Sequence, residues 1–184
     1  MQNRTPRIPQ QPAPNHRAET DAMLTAELAA VVTGARRRAL RDGDRQIDTA
    51  HLLHSLIESD REVRTAFGGG PQPARVLGYL VQRSIGYGLR WQGSVENSGT
   101  GAVVKGAPDA EAVVEAEGWS PAAASAMAGA HRRARLRGQD RAGGLDLLAA
   151  LAADPECRAV EVLERAGVDA ALLADRIVEA SGRE

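Results

Sequence analysis

One cysteine, one lysine and few aromatic rings set the limits for this chain of 184 residues. Cys157 has no second cysteine to pair with, so an intramolecular disulfide is excluded and a reducing, cytoplasmic setting is expected. Aromatic residues make up 3% of the chain while hydrophobic residues make up 43%. The core must then be Leu, Val and Ala, which suits close helix packing better than a sheet. No run of about 18 apolar residues exists for a membrane span. The N-terminus lacks the apolar stretch of a secretory signal. The net charge of −1 removes bulk attraction to nucleic acid or to a membrane surface. Lys105 sits in Val-Val-Lys-Gly-Ala-Pro, and no phosphate loop of the form G-x-x-x-x-G-K-[ST] occurs, so ATP-driven work is not expected of these residues. No Ser lies in a G-x-S-x-G elbow. No catalytic residue, metal ligand or cofactor is assigned.

What is present is a repeat. Residues 34–53 return at 129–148, a displacement of 95 positions with no gap. Gly34, Arg37, Arg38, Gly43, Leu52 and Leu53 recur as Gly129, Arg132, Arg133, Gly138, Leu147 and Leu148. Each copy reads as the end of a helix, a glycine corner and the start of a second helix. A unit repeated at one fixed displacement points to duplication. Four helices per copy are expected, giving an all-α fold of two tandem four-helix repeats related by pseudo-twofold symmetry.

The copies are bounded by composition. Residues 1–22, rich in Pro, Gln, Asn and Arg, form a tail with too little apolar surface to offset its ordering entropy. Repeat 1 spans 23–86. Thr25 is a good N-cap, flanked by Leu24 and Leu28, and Val31, Val32, Ala35 and Ala39 continue the apolar stripe. Gly43 stops that helix, Asp48 or Thr49 caps the next, and Gly68–Pro71 is a hard break. Residues 87–118 read as a linker with a short helix over Asp109–Glu117. Repeat 2 spans 119–182 and opens on Trp119, Ser120 and Pro121, a Ser N-cap followed by Pro at the first helical position.

Candidate chemistry is sparse. His51 and His54 share one helix at i, i+3, a spacing that could serve a metal, but no Cys or third His lies nearby and a packing role is the plainer reading. The clusters Arg36–Arg41 and Arg132–Arg137 could grip a nucleic-acid backbone. The plainer reading is a solvated helix face complementing the helix dipole.

Two stretches carry a family resemblance: the helix openings Leu24-Thr25 and Trp119-Ser120, and the corner R-D-G-D-R-Q-I-D-T-A-H-L-L from Arg41 to Leu53. The chain resembles the Clp N-terminal domain, the double Clp repeat of ClpC- and ClpA-type AAA+ unfoldases, over about residues 24–182. The corner keeps Gly43, Ile47, Thr49, His51, Leu52 and Leu53 of that family's pattern and departs at Asp44, Asp48 and Ala50. The resemblance implies a non-enzymatic docking module of the Clp protease system. It would act as a stand-alone adaptor, substrate receptor or decoy for an unfoldase, with a protein or peptide partner. A sequestering role toward a cyclic-peptide antibiotic is the alternative on the same fold, and an Arg-helix nucleic-acid binder is a second alternative.

The implied ligand groove takes in Leu24, Thr25, Leu28, Val32, Trp119, Ser120, Ala124 and Ala128. Trp119 is expected there to matter more for docking than for stability. The family also recognises phosphoarginine through a helix-opening Thr and a Glu that meets the guanidinium. Thr25 and Ser120 match the first element, but Ala50 and Leu145 stand at the Glu positions, so tight binding of free phosphoarginine is not expected.

Overall fold

The structure, a computed structural model, describes residues 22–84, 96 and 118–181. The expected tail up to Asp21, the short helix over Asp109–Glu117 and the linker apart from Glu96 and Gly118 lie outside the described residues. Among the described residues eight helices follow one another: α1 Ala26–Asp42, α2 Thr49–Ser59, α3 Arg61–Ala66, α4 Gln72–Ser84, α5 Pro121–Leu136, α6 Gly144–Ala152, α7 Arg158–Arg165 and α8 Ala170–Ser181. The fold is all-α, four helices to each copy, as the repeat implied.

Local chemistry sets most of the ends. Thr25 accepts a hydrogen bond from the Leu28 N–H at 3.2 Å, and Ser120 accepts from Ala123 N–H at 3.1 Å. These are the N-caps of α1 and α5, satisfying donors that have no partner inside the helix. Gly43 ends α1 at φ +74°, a left-handed conformation that costs glycine nothing. Gly138 follows α5 at φ +72° in the same way. Asp48, not Thr49, caps α2, and the capping box is closed by the His51 ring, which accepts from the Asp48 N–H at 3.1 Å. His51 is thus built into the helix start, in line with the packing reading.

The two repeats interlock. α1 packs on α2 as α5 packs on α6; α2 meets α7 as α6 meets α3; α4 reaches α7 as α8 reaches α3. Each repeat's second helix therefore packs on the other's third, and one core results. Leu28, Leu52, Leu53, Leu56 and Ile57 share it with Leu147, Leu148, Leu151 and Leu163, all fully buried. Backbone pairing crosses between copies as well. Thr25 N–H donates to Ala142 O at 2.9 Å, and Ser120 N–H donates to Ile47 O at 2.9 Å. Ala142 N–H donates to Met23 O at 3.0 Å, and Ile47 N–H donates to Gly118 O at 2.7 Å. The two bridges, Leu24 with Ala142 and Ile47 with Trp119, map onto each other under the 95-residue displacement. The entrance of each repeat is hydrogen-bonded to the corner of the other, as a pseudo-twofold axis requires. The shared core makes the two repeats one folding unit.

Candidate functional site

The junction between the repeats carries a buried polar network. Asp48, at the start of α2, accepts from Arg83 Nη2 of α4 at 2.8 Å and from Arg158 Nη1 of α7 at 2.7 Å. Burial alone would push the Asp48 carboxyl up. The neighbouring His51 ring, the charge of Arg83 and the Arg158 hydrogen bond outweigh it and hold the group well below the usual carboxylate range. Asp44, Asp48 and His51 lie close enough together to suggest a cation site. The two guanidinium groups already on Asp48 supply the positive charge there, so the cluster is read as an ion-pair network.

Glu96 reaches the same junction and is 4% exposed. Its carboxylate accepts from Thr49 N–H at 2.9 Å, Ser120 Oγ at 2.9 Å and Arg158 N–H at 2.7 Å, and from the Thr49 hydroxyl. Thr49 Oγ1 in turn accepts from Ala159 N–H at 3.0 Å. Cys157, the residue before α7, offers no cap of its own. Glu96 and Thr49 therefore do the capping of α7 from outside the helix, where the dipole favours negative charge. Reading 87–118 as connection alone missed this residue. The one sequence signal was indirect: a helix opening on cysteine has to find its acceptors elsewhere.

Of the eight residues expected to line a groove, Leu24, Leu28, Val32, Trp119 and Ser120 are buried, Thr25 and Ala124 are half-buried, and Ala128 is exposed. The Ser120 hydroxyl is committed to Glu96, and Thr25 to its helix cap. A ligand would reach Thr25, Ala124 and Ala128 directly and the other five only by rearranging the core. Ala50 is fully buried and Leu145 half-buried.

Two open cavities lie elsewhere, mainly on the second repeat, though Thr49 of the first also lines the smaller. One of about 710 Å³ is bounded by Ala152, Val160, Gly167, Val168 and Ala174 at the α6–α8 end. Another of about 350 Å³ runs between α5 and α6, over Ala122, Ala126 and Ala149, with Arg132 and Arg133 at its edge. The arginine clusters are partly spent on acids: Arg38 pairs with Glu58, Arg41 with Asp42 and Arg137 with Asp146. Burial pushes the Cys157 thiol up to about 12, so it is no nucleophile at neutral pH.

Among solved structures the chain is similar to the N-terminal domain of the caseinolytic protease associated chaperone ClpD from Arabidopsis thaliana. The TM-score is 0.60 at 19% identity, over 86% of this chain and 94% of that one. The fold is that of a Clp N-terminal domain. No protein-family description and no curated protein matches the sequence. No described helix is long and apolar enough to cross a membrane.

Proposed function

We propose that the protein is a non-catalytic protein- or peptide-binding module of a Clp-type proteolytic system, serving as adaptor, substrate receptor or decoy for a Clp-class unfoldase in the cytoplasm. The observation that carries this reading is the likeness to the ClpD N-terminal domain across most of both chains, with both repeats present. The chemistry of the described residues agrees with it. Asp48 is consumed by guanidinium groups, Glu96 by helix starts, and the Cys157 thiol by burial. A binder requires surface rather than reactive groups, and the exposed Leu40 and Leu136 (75% and 88%) at the ends of α1 and α5 supply apolar contact area.

The proposed contact surface keeps Thr25, Ala124 and Ala128 as direct contacts, with Leu24, Leu28, Val32, Trp119 and Ser120 supporting them from below. Free phosphoarginine is not expected to bind tightly. Ala50 and Leu145 offer no carboxylate to a guanidinium, and the Ser120 hydroxyl is already engaged. The test is affinity capture on the immobilised full chain with the bound proteins identified by mass spectrometry. A Clp-class unfoldase, or an adaptor of one, retained specifically and competed by free protein supports the reading. Nucleic acid as the sole retained species, or no unfoldase at any salt concentration, overturns it.

A further inference from the structure

The two repeats treat one helix crossing differently. Where α2 lies against α1 the first copy has Val31, His54 and Glu58; the second has Ala126, Ala149 and Ala153 at the corresponding places between α5 and α6. The smaller side chains help open the 350 Å³ cleft there. The crossing itself is close in both copies, since a Cβ on Gly34 would lie 3.1 Å from Ser55 Oγ and one on Gly129 would lie 3.1 Å from Ala150 Cβ. The cleft thus comes from small side chains, with the helices held together.

The arginine above the crossing was kept while its partner was not. Arg38 gives its Nη2 to the Glu58 carboxylate. Its counterpart Arg133 edges the cleft, faces Ala153 where Glu58 would stand, and has no acid within ion-pair distance among the described residues. Its Nε is buried without a hydrogen-bond partner, as is that of Arg38, so the difference between the copies lies in the missing carboxylate. Arg132 lies on the same edge and is likewise unpaired among the described residues. The acid that lines the cleft, Asp154, has Oδ1 turned to the Glu156 N–H at 3.2 Å. Two guanidinium groups against one carboxylate leave the cleft with an excess positive charge.

We propose that this cleft receives an acidic side chain, Asp or Glu, from a protein partner, with its carboxylate taking on Arg133 the place that Glu58 holds on Arg38. The inference rests on the protein-binding reading above and names the chemistry of one contact. A carboxylate is favoured over a phosphate backbone because the same chain already displays the carboxylate solution at the equivalent position. The floor of Ala122, Ala126 and Ala149 also suits a single short side chain, and Leu136 at the rim offers the neighbouring residue an apolar contact.

The test uses two variants of the full chain. Ala153→Glu restores the first copy's acid opposite the arginine and fills the cleft from within; the site is exposed, at the C-cap that follows α6, so the fold tolerates it. Arg133→Gln removes the charge. A fluorescein-labelled Ala/Gly peptide with a central Glu-Leu-Glu, and its Gln-Leu-Gln counterpart, are titrated by anisotropy at low salt. The wild type should bind the acidic peptide about tenfold or more tightly than the neutral one, and both variants should lose that preference. Equal binding of the two peptides by wild type, or a preference that survives in Ala153→Glu, overturns the proposal. So does salt-sensitive binding of duplex DNA that Ala153→Glu abolishes and the acidic peptide cannot compete. Unfoldase capture that persists in Ala153→Glu while the peptide preference never appears defeats the cleft alone. Peptide preference without any capture defeats the Clp assignment alone.

Discussion

Replacing Glu96 by Ala should destabilise the whole protein, although the residue lies outside the eight described helices. Its carboxylate accepts from two backbone N–H groups, Thr49 and Arg158, and from the hydroxyls of Thr49 and Ser120. The hydroxyls can turn elsewhere, but the N–H groups cannot. A buried donor left unsatisfied costs about 1–3 kcal/mol, and breaking a buried charged network costs about 3–5 kcal/mol in total. We expect a loss of about 3–4 kcal/mol, lowered from the sum because the carboxylate need no longer be desolvated and water can enter the site. At about 3 °C per kcal/mol for a domain of this size, the melting temperature should fall by about 10 °C. Glu96→Gln should recover less than half of that, since its amide nitrogen would face a donor on one side. The assay is urea unfolding followed by far-UV circular dichroism at neutral pH. A midpoint unchanged in Glu96→Ala would mean that Glu96 does not hold the two helix starts, and the account of the junction would be wrong.

Other outcomes follow from burial. Trp119 is 5% exposed and its backbone lies in the bridge to Ile47, so Trp119→Ala should cost about 3–5 kcal/mol as a core truncation; a melting temperature within about 1 °C of wild type would instead place its side chain at the binding surface alone. Burial, and then the charge of Arg38, bring His54 down to about 4 from its ordinary value near 6.5. Between those values the unfolded chain binds more protons, so stability should rise with pH from 4 to 6.5, be complete above it and be lost below. His131 shifts the same way, so in His54→Asn the slope should shrink without vanishing; urea midpoints that fall as pH rises through the window would refute the assignment. Cys157, buried with its thiol pushed up to about 12, should resist iodoacetamide in the folded protein and react only on unfolding. Rapid labelling under native conditions would show that α7 opens.

What could be read in the sequence was what is local. Thr25, Ser120 with Pro121, Gly43 and Gly138 each act within a few residues, so their patterns survive in one dimension. The displacement of 95 carried the pseudo-symmetry. The junction was not legible, because Asp48 with Arg158 and Thr49 with Ala159 are both contacts across 110 residues with no spacing rule behind them. The groove residues were placed by periodicity and resemblance, and periodicity cannot tell a stripe facing a ligand from one facing a second helix. The cleft could have been found earlier from the repeat alone, by noticing that Arg133 keeps what Arg38 has while Ala153 replaces Glu58.

The duplication is better conserved in physics than in residues. At the crossing of α3 with α6, Asp60 caps α3, accepting from Glu62 N–H at 2.8 Å and Val63 N–H at 3.1 Å. A Cβ on Gly144 would collide with the same carboxylate, which is why the opening of α6 is glycine where α2 has Thr49. At the related crossing of α7 with α2 the local cap is Cys157, which cannot do this, and Glu96 brings the acceptor from another part of the chain. The third helix of each repeat therefore starts on one carboxylate, supplied by a different route. If that is the requirement, Cys157→Asp should be a substitution whose sign depends on its background. With Glu96 present it sets two carboxylates against each other in a buried site and should destabilise by more than about 1 kcal/mol. In Glu96→Ala it supplies the missing local cap and should restore about 1 kcal/mol. A double-mutant cycle by urea unfolding reads the coupling directly. Equal destabilisation in both backgrounds would show that the acceptor at the start of α7 is not what Glu96 provides.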